Sequence, residues 1–347
     1  MNEQLRVLNV YKWATMGGVE RVFLNRAHAF QEYGISIVYD VYFLHDSGGR
    51  EKFKKYIQKY ELESNIRVVD DFKEDDYDLI LSVDTPEILD KIRNNNKVYM
   101  ECHTGYKDNR AYIKRLPSDI GGIIVPSGFF KNTIRDEVPN WLMDKIYTLT
   151  NFVFASEELI NKKNCFWSKV PLVYVGRLDN LKNVEEAIRI LAYYKDNISD
   201  EFILLLAGPI IQHEIDIHTL LETYNVNDRV VYLPPVDFEN VSKLYEMVNA
   251  HSGIFISSSK KETFGLSAAE AMINGLPVLL SNIEAHLELV DANYKFVYEL
   301  GNIKEASSKL AEILENYSEY KAIISTMTKK FSSQQFVEDW NALIGGV

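Results

Sequence analysis

SSSKKETFGLSAAEAMINGLPVLLSN, Ser257 to Asn282, decides how the rest of the chain is read. A short apolar strand, Gly253–Ser257, runs into a polar loop. Phe264-Gly265-Leu266 then opens a helix over Leu266–Ile273, Asn274-Gly275 closes it, and Pro277–Leu280 begins another strand. Strand, loop, helix and strand in this order make a crossover unit of a parallel sheet. Gly265 lets the backbone approach a ligand closely. The unpaired N–H groups and partial positive charge of the first helical turn suit a phosphate. Glu262 lies in the loop and Glu270 eight residues on, inside the helix. A carboxylate at the second position suits ribose hydroxyls, and one at the first suits a sugar attached to the phosphates. Taken singly, Glu270 also reads as a solvated helix residue and Gly-Leu-Pro as ordinary punctuation.

Upstream, VYVGRLDNLKN (Val173–Asn183) is a strand that runs into Gly176-Arg177, with Lys182 at the mouth of the next helix. Arginine chelates phosphate oxygens bidentately, and lysine acts beside it as a point charge. Strand and helix patterns alternate through this half: strands at Leu172–Val175, Phe202–Ala207 and Val230–Leu233, helices at Val184–Tyr194, Ile215–Tyr224 and Val241–Met247. The first half shows the same rhythm. Strands are expected at Leu5–Tyr11, Ile35–Phe43, Asp78–Ser82, Lys97–Glu101, Gly122–Val125 and Ile146–Leu149. Helices are expected at Val19–Gln31, Glu51–Tyr60, Pro86–Arg93 and Gly128–Arg135. Helices follow again from Ile303. The polar, aperiodic stretch Asn151–Val170 reads as a linker. Two parallel α/β halves result: an N-terminal domain over 1–155, a C-terminal domain over 165–330, and a terminal helical segment, 331–347.

The 347 residues suit two domains and carry a net charge of −12. That charge argues against a nucleic-acid partner. No apolar run is long enough for a membrane span, and the start MNEQLRVLNVYKW lacks signal-peptide character, so a cytoplasmic protein is expected. Cys102 and Cys165 have no metal-type spacing and read as buried thiols. His213 and His218 are five apart, poor spacing for a helical zinc pair. The runs Arg50–Lys59 and Lys107–Arg115 read as solvated helix faces, or as a basic side meeting an anionic acceptor or the inner membrane face.

VGRLDNLKN and KETFGLSAAEAMINGLPVLLSN together resemble the two signature stretches of glycosyltransferase family 4, retaining enzymes of the GT-B fold. The likeness is specific over about 170–300 and one of pattern elsewhere. Asn183 departs from it by standing where the family commonly has glycine, and Lys260-Lys261 make the loop unusually basic. The resemblance implies two Rossmann-like domains facing a central cleft, with the C-terminal helix packing back on the N-terminal domain. It implies a nucleotide-diphosphate-sugar co-substrate, UDP foremost, and transfer to a glycan, lipid-linked or polymer acceptor without a metal or other cofactor. Arg177 and Lys182 would bind the diphosphate, and Thr263, Phe264, Gly265 and Leu266 would line it. Glu270 would hold the ribose and Glu262 the donor sugar. The loops beginning at Gly208 and Pro234 would line the base. Gly17 and Gly18, in Thr15–Glu20 (TMGGVE), resemble the family's N-terminal glycine loop. His103, in ECHTGY, stands where the family often has a histidine near donor sugar and acceptor, although a lone histidine also reads as structural. Arg177, Lys182, Glu262 and His103 are thus the candidate catalytic residues. The competing readings are a nucleotide-sugar epimerase of the same architecture, a phosphorylase, and a non-catalytic nucleotide-sugar-binding protein.

Overall fold

A computed structural model describes residues 4–154 and 167–345. Cys165 and much of the expected linker fall outside the described residues. The chain divides into two compact units, one comprising Met1–Phe154 with Phe331–Val347 and the other Ala155–Lys330.

The first unit is built on strands β1 (Leu5–Ala14), β2 (Ile37–Asp46), β3 (Ile66–Val69), β4 (Leu79–Val83), β5 (Val98–Glu101), β6 (Gly122–Val125) and β7 (Ile146–Thr148). They form one parallel sheet in the order β3-β2-β1-β4-β5-β6-β7. The winding reverses between β1 and β4. Helices α1 (Gly18–Glu32), α2 (Arg50–Lys59) and α3 (Gly128–Ile134) belong to this unit. β4 is buried at every residue, and β5 and β6 likewise, as strands covered on both faces must be. The stretch expected as a helix over Pro86–Arg93 is a 3-10 turn over Pro86–Lys91, with proline at its start.

The second unit holds β8 (Val170–Val175), β9 (Phe202–Ala207), β10 (Val230–Leu233), β11 (Ile254–Ser257), β12 (Val278–Ser281) and β13 (Val297–Tyr298). Its parallel sheet has the order β10-β9-β8-β11-β12-β13, so the winding reverses between β8 and β11. Helices α4 (Val184–Asn197), α5 (Ile217–Thr223), α6 (Phe238–Asn249), α7 (Leu266–Ile273), α8 (Glu284–Leu289), α9 (Ile303–Glu315) and α10 (Tyr317–Met327) complete it. β3, α8 and β13 go beyond the elements read from the sequence.

The terminal helix α11 (Ser333–Gly345) belongs to the first unit, where it packs on α1. Phe30 of α1 meets Trp340 at 5.1 Å and Phe336 at 5.6 Å between ring centroids, and Phe336 stacks on Phe152 at 4.9 Å. Asp339 accepts the Thr150 N–H at 3.0 Å. Trp340 and Phe336 are buried. Truncating a core aromatic of this kind costs about 3–5 kcal/mol, which is what fastens the tail to this unit.

The basic run 107–115 is not uniformly a surface feature. Arg110 is buried and forms two 2.8 Å hydrogen bonds to Glu137. A cation this deeply placed needs its carboxylate partner.

Candidate active site

In the second unit the carboxyl ends of β8 and β11, on either side of the winding reversal, carry the residues singled out from sequence. Open parallel sheets take their ligands at such a point. β8 ends at Val175, and Gly176 and Arg177 follow. Arg177 is half-exposed, and its Nε lies 2.9 Å from Asp179 Oδ2. Asp179 is buried, and its other oxygen accepts the Lys182 N–H at 2.7 Å. One carboxylate thus ties down both cation-bearing positions. The buried Tyr174 hydroxyl lies 3.1 Å from the Arg177 carbonyl and 3.2 Å from that of Lys182, and burial pushes its pKa well up, so it stays a neutral donor. Sequence reading passed over both Asp179 and Tyr174. Asn183, the cap of α4, has φ of +56°, a left-handed conformation that glycine adopts without strain. That geometry suits glycine, and asparagine is among the few other residues that tolerate it.

Lys182 Nζ reaches across the reversal to Glu262 Oε1 at 2.5 Å, and the Ser259 hydroxyl donates to the same oxygen at 2.8 Å. Burial alone would raise the Glu262 pKa, but the Lys182 ammonium holds it below the usual carboxylate range. Two residues assigned to different parts of a ligand are therefore each other's counter-ions. Thr263 leads to the buried Phe264, and Gly265 caps α7 with φ of +94°. A Cβ at Gly265 would come within 2.9 Å of Leu289 in α8. Leu266 opens α7, and the first-turn amides there precede the first intrahelical bond, Ala269 N–H to Gly265 carbonyl. Glu270, one turn further, is buried rather than solvated.

Beneath this loop sits His286 of α8. Its Nδ1 donates to the Ser281 carbonyl at 2.9 Å, and burial lowers its pKa, so the neutral ring is a structural support. Gly208 and Pro234 follow β9 and β10. Pro234 is exposed, whereas Gly208 is buried with φ of +144°. A Cβ at Gly208 would lie 1.9 Å from the Gly176 carbonyl oxygen, so this glycine is where two strand ends meet. Gly208→Ala is expected to destabilise the second unit by about 1–3 kcal/mol through that overlap. Chemical denaturation of the full chain reads it, and an unchanged midpoint would contradict the contact.

The first unit has its own constellation at the ends of β1, β4 and β5. Gly17 caps α1 and Gly18 is its first residue. The buried Glu20 carboxylate accepts the N–H groups of Thr15 at 2.5 Å, Met16 at 2.8 Å and Gly17 at 3.0 Å. The amides of this loop before Gly18 are thus already held by an internal anion. Gly49 backs onto it so closely that a Cβ would lie 2.5 Å from Met16 N. His103 follows β5. Its Nε2 is 3.0 Å from Glu101 Oε2, and its N–H donates to Asp84 Oδ2 at 2.9 Å. Arg26 of α1 binds Glu101 through two 2.8 Å hydrogen bonds, and both side chains are buried. Burial would raise the Glu101 pKa, but Arg26 and His103 bring it down to about 2. With its pKa this low, Glu101 is ionised and accepts from the Nε2–H of His103, which orients the ring. Among the described residues no group of three or more His, Cys, Asp or Glu is placed to hold a metal ion.

Two parallel Rossmann-type sheets, each with its winding reversal, and a helix returning from the second unit to the first define a protein of the GT-B fold. The chain belongs to the family described as glycosyl transferases group 1, whose sequence profile matches residues 156–330. It is 29% identical over 177 residues to a probable sucrose-phosphate synthase of Thermosipho melanesiensis, covering 49% of this chain and 41% of that protein. It is 24% identical over 184 residues to a sucrose synthase of Melioribacter roseus, covering 47% and 23%. The matched stretch spans less than half the length of these relatives. Among solved structures, Anabaena HepE in complex with UDP and glucose superposes with a TM-score of 0.75 at 15% identity, covering 99% of this chain and 100% of that one. TarM superposes with a TM-score of 0.70 at 14% identity, covering 99% of both. No helix among the described residues is long and apolar enough to cross a membrane.

Proposed function

We propose that the chain is a retaining, metal-independent glycosyltransferase that moves a sugar from a UDP-sugar to an acceptor hydroxyl, in assembly of a bacterial surface glycan on the cytoplasmic side of the membrane. The observation that carries the reading is the meeting of Lys182, Glu262 and the Gly265-capped start of α7 at one winding reversal. The nearby solved structures support the choice of UDP: HepE with UDP-glucose, and a TarM mutant with UDP and alpha-GlcNAc-glycerol.

In this mechanism Arg177 and Lys182 neutralise the departing diphosphate together with the α7 dipole. Glu270 grips the ribose. Glu262, released from Lys182 as phosphate takes its place, turns to the hydroxyls of the donor sugar. No protein nucleophile is invoked: the acceptor attacks the face from which the nucleotide departs, and the leaving phosphate takes its proton. His103, oriented by Glu101, serves the acceptor side.

A thermal-shift panel of UDP-, GDP-, ADP- and TDP-sugars tests the reading, because a ligand that binds only the folded state raises apparent stability. UDP-sugars are expected to give the largest shift, undiminished by EDTA. Absence of a shift with all four would overturn the proposal. A donor-only NMR time course separates transfer from epimerisation: conversion of the sugar without an acceptor would favour the epimerase.

A further inference from the structure

The carboxyl rim of the first sheet carries a second cluster, made of residues other than those assigned above to the donor. β1 stays paired with β2 as far as Trp13↔His45 and Ala14↔Asp46, but its register with β4 ends at Tyr11↔Val83. The last three residues of β1 therefore stand above the rim with a strand neighbour on one side. They stand at the winding reversal of this sheet, between β1 and β4, where ligands of open parallel sheets gather.

The side chains there have a definite chemistry. Trp13 is 43% exposed, although residues 7–10 of the same central strand are buried. It is braced by the His45 ring, 4.7 Å away between centroids and tilted by 33°. Lys12 Nζ lies 5.8 Å from the indole centroid and 2.5 Å from Glu87 Oε1. Glu87 comes from the turn after β4, so this ion pair spans the reversal, as Lys182–Glu262 does in the second sheet. Both side chains are more than a third exposed, although Glu87 Oε2 itself is covered, so only Oε1 is left to meet a ligand. A flat apolar surface flanked by an ammonium and a carboxylate matches a pyranose ring. Its C–H face covers an aromatic plane, and its hydroxyls donate to a carboxylate and accept from an ammonium. A lipid chain would need a broader apolar patch, and a polyanion would find no net positive charge in the Lys12–Glu87 pair.

We infer that Trp13, His45, Lys12 and Glu87 form a subsite for a sugar ring of the acceptor, so that the acceptor is itself a glycan or glycosylated compound. The inference rests on the glycosyltransferase reading, but its test is separable from that reading.

The full chain is titrated with methyl glycosides of glucose, galactose and N-acetylglucosamine to high millimolar concentration, and intrinsic tryptophan fluorescence is recorded. In parallel, the thermal shift given by UDP is measured. At least one glycoside is expected to change the emission saturably. Glu87→Gln should weaken that binding about tenfold, corresponding to about 1.4 kcal/mol, and Trp13→Ala should abolish the fluorescence response. Trp13→Tyr, observed by NMR of the added glycoside, should retain binding. The UDP shift should be the same in every variant. A glycoside response undiminished in both Trp13→Ala and Glu87→Gln, or no response to any glycoside in a chain that UDP does stabilise, would overturn the subsite. If UDP and the nucleotide sugars give no shift, the donor reading fails on its own, and glycoside binding at Trp13 is still read independently.

Discussion

Lys182→Ala is expected to lower the rate of sugar transfer by about two to three orders of magnitude, the usual cost of removing one charge-stabilising group from a transition state. The reason lies in where the charge develops. As the bond between sugar and diphosphate breaks, negative charge gathers on the leaving phosphate. Lys182 stands at the winding reversal with its ammonium already in a partly covered position, 2.5 Å from Glu262. Alanine removes the cation and leaves the Glu262 carboxylate facing Ser259 alone, so the site turns from balanced to repulsive for an anion. Pairing the change with Glu262→Gln removes the repulsion but not the missing stabilisation. The double variant should bind UDP better than Lys182→Ala while remaining nearly inactive. Arg177 is half-exposed on Asp179 and is expected to matter less. Turnover with a UDP-sugar, measured beside circular dichroism, decides the matter. Near-normal transfer by a folded Lys182→Ala protein would remove this mechanism.

The largest stability effect is expected from Arg26→Met. Arg26 and Glu101 are both buried and share two hydrogen bonds of 2.8 Å. Removing one member of such a pair leaves an uncompensated charge in the interior and costs about 3–5 kcal/mol. Replacing both, as in Arg26→Met with Glu101→Gln, should recover part of that loss, because the desolvation of two ions is avoided. The double variant still loses the ionised partner of His103, so its acceptor kinetics should stay impaired even where its stability returns. Urea unfolding of the full chain gives the first quantity and the Michaelis constant for acceptor the second. A single variant that unfolds like the parent would show that the pair contributes nothing to the native state.

Much of the architecture was legible because it rests on periodicity. Ile303–Glu315, Leu266–Ile273, Phe202–Ala207 and Val230–Leu233 were read with the bounds the structure gives them. The elements beyond that reading are short. β13 has two residues, β3 four and α8 six, too few for a period to establish itself. The grouping of Arg177, Lys182, Glu262 and Gly265 at the ends of β8 and β11 could be anticipated, because there the chain order alone brings candidate residues to one edge of the sheet. The site was illegible where a role comes from distant packing. His286 belongs to the unread α8, and nothing next to it in sequence points beneath the Gly265 loop. Asp179 was quoted within the motif, yet only folding reveals that its two oxygens hold Arg177 and the Lys182 amide. Arg26 lies among Val22, Phe23 and Phe30 on the buried side of α1, and its partner Glu101 is 75 residues away.

The turn from Thr15 to Gly17 gives its amide hydrogens to Glu20, a few residues further along the same chain. A bend secured from within is already shaped before anything arrives beside it. Whatever meets it encounters a finished surface, and the disorder that a slack loop would surrender at that encounter has already been given up during folding.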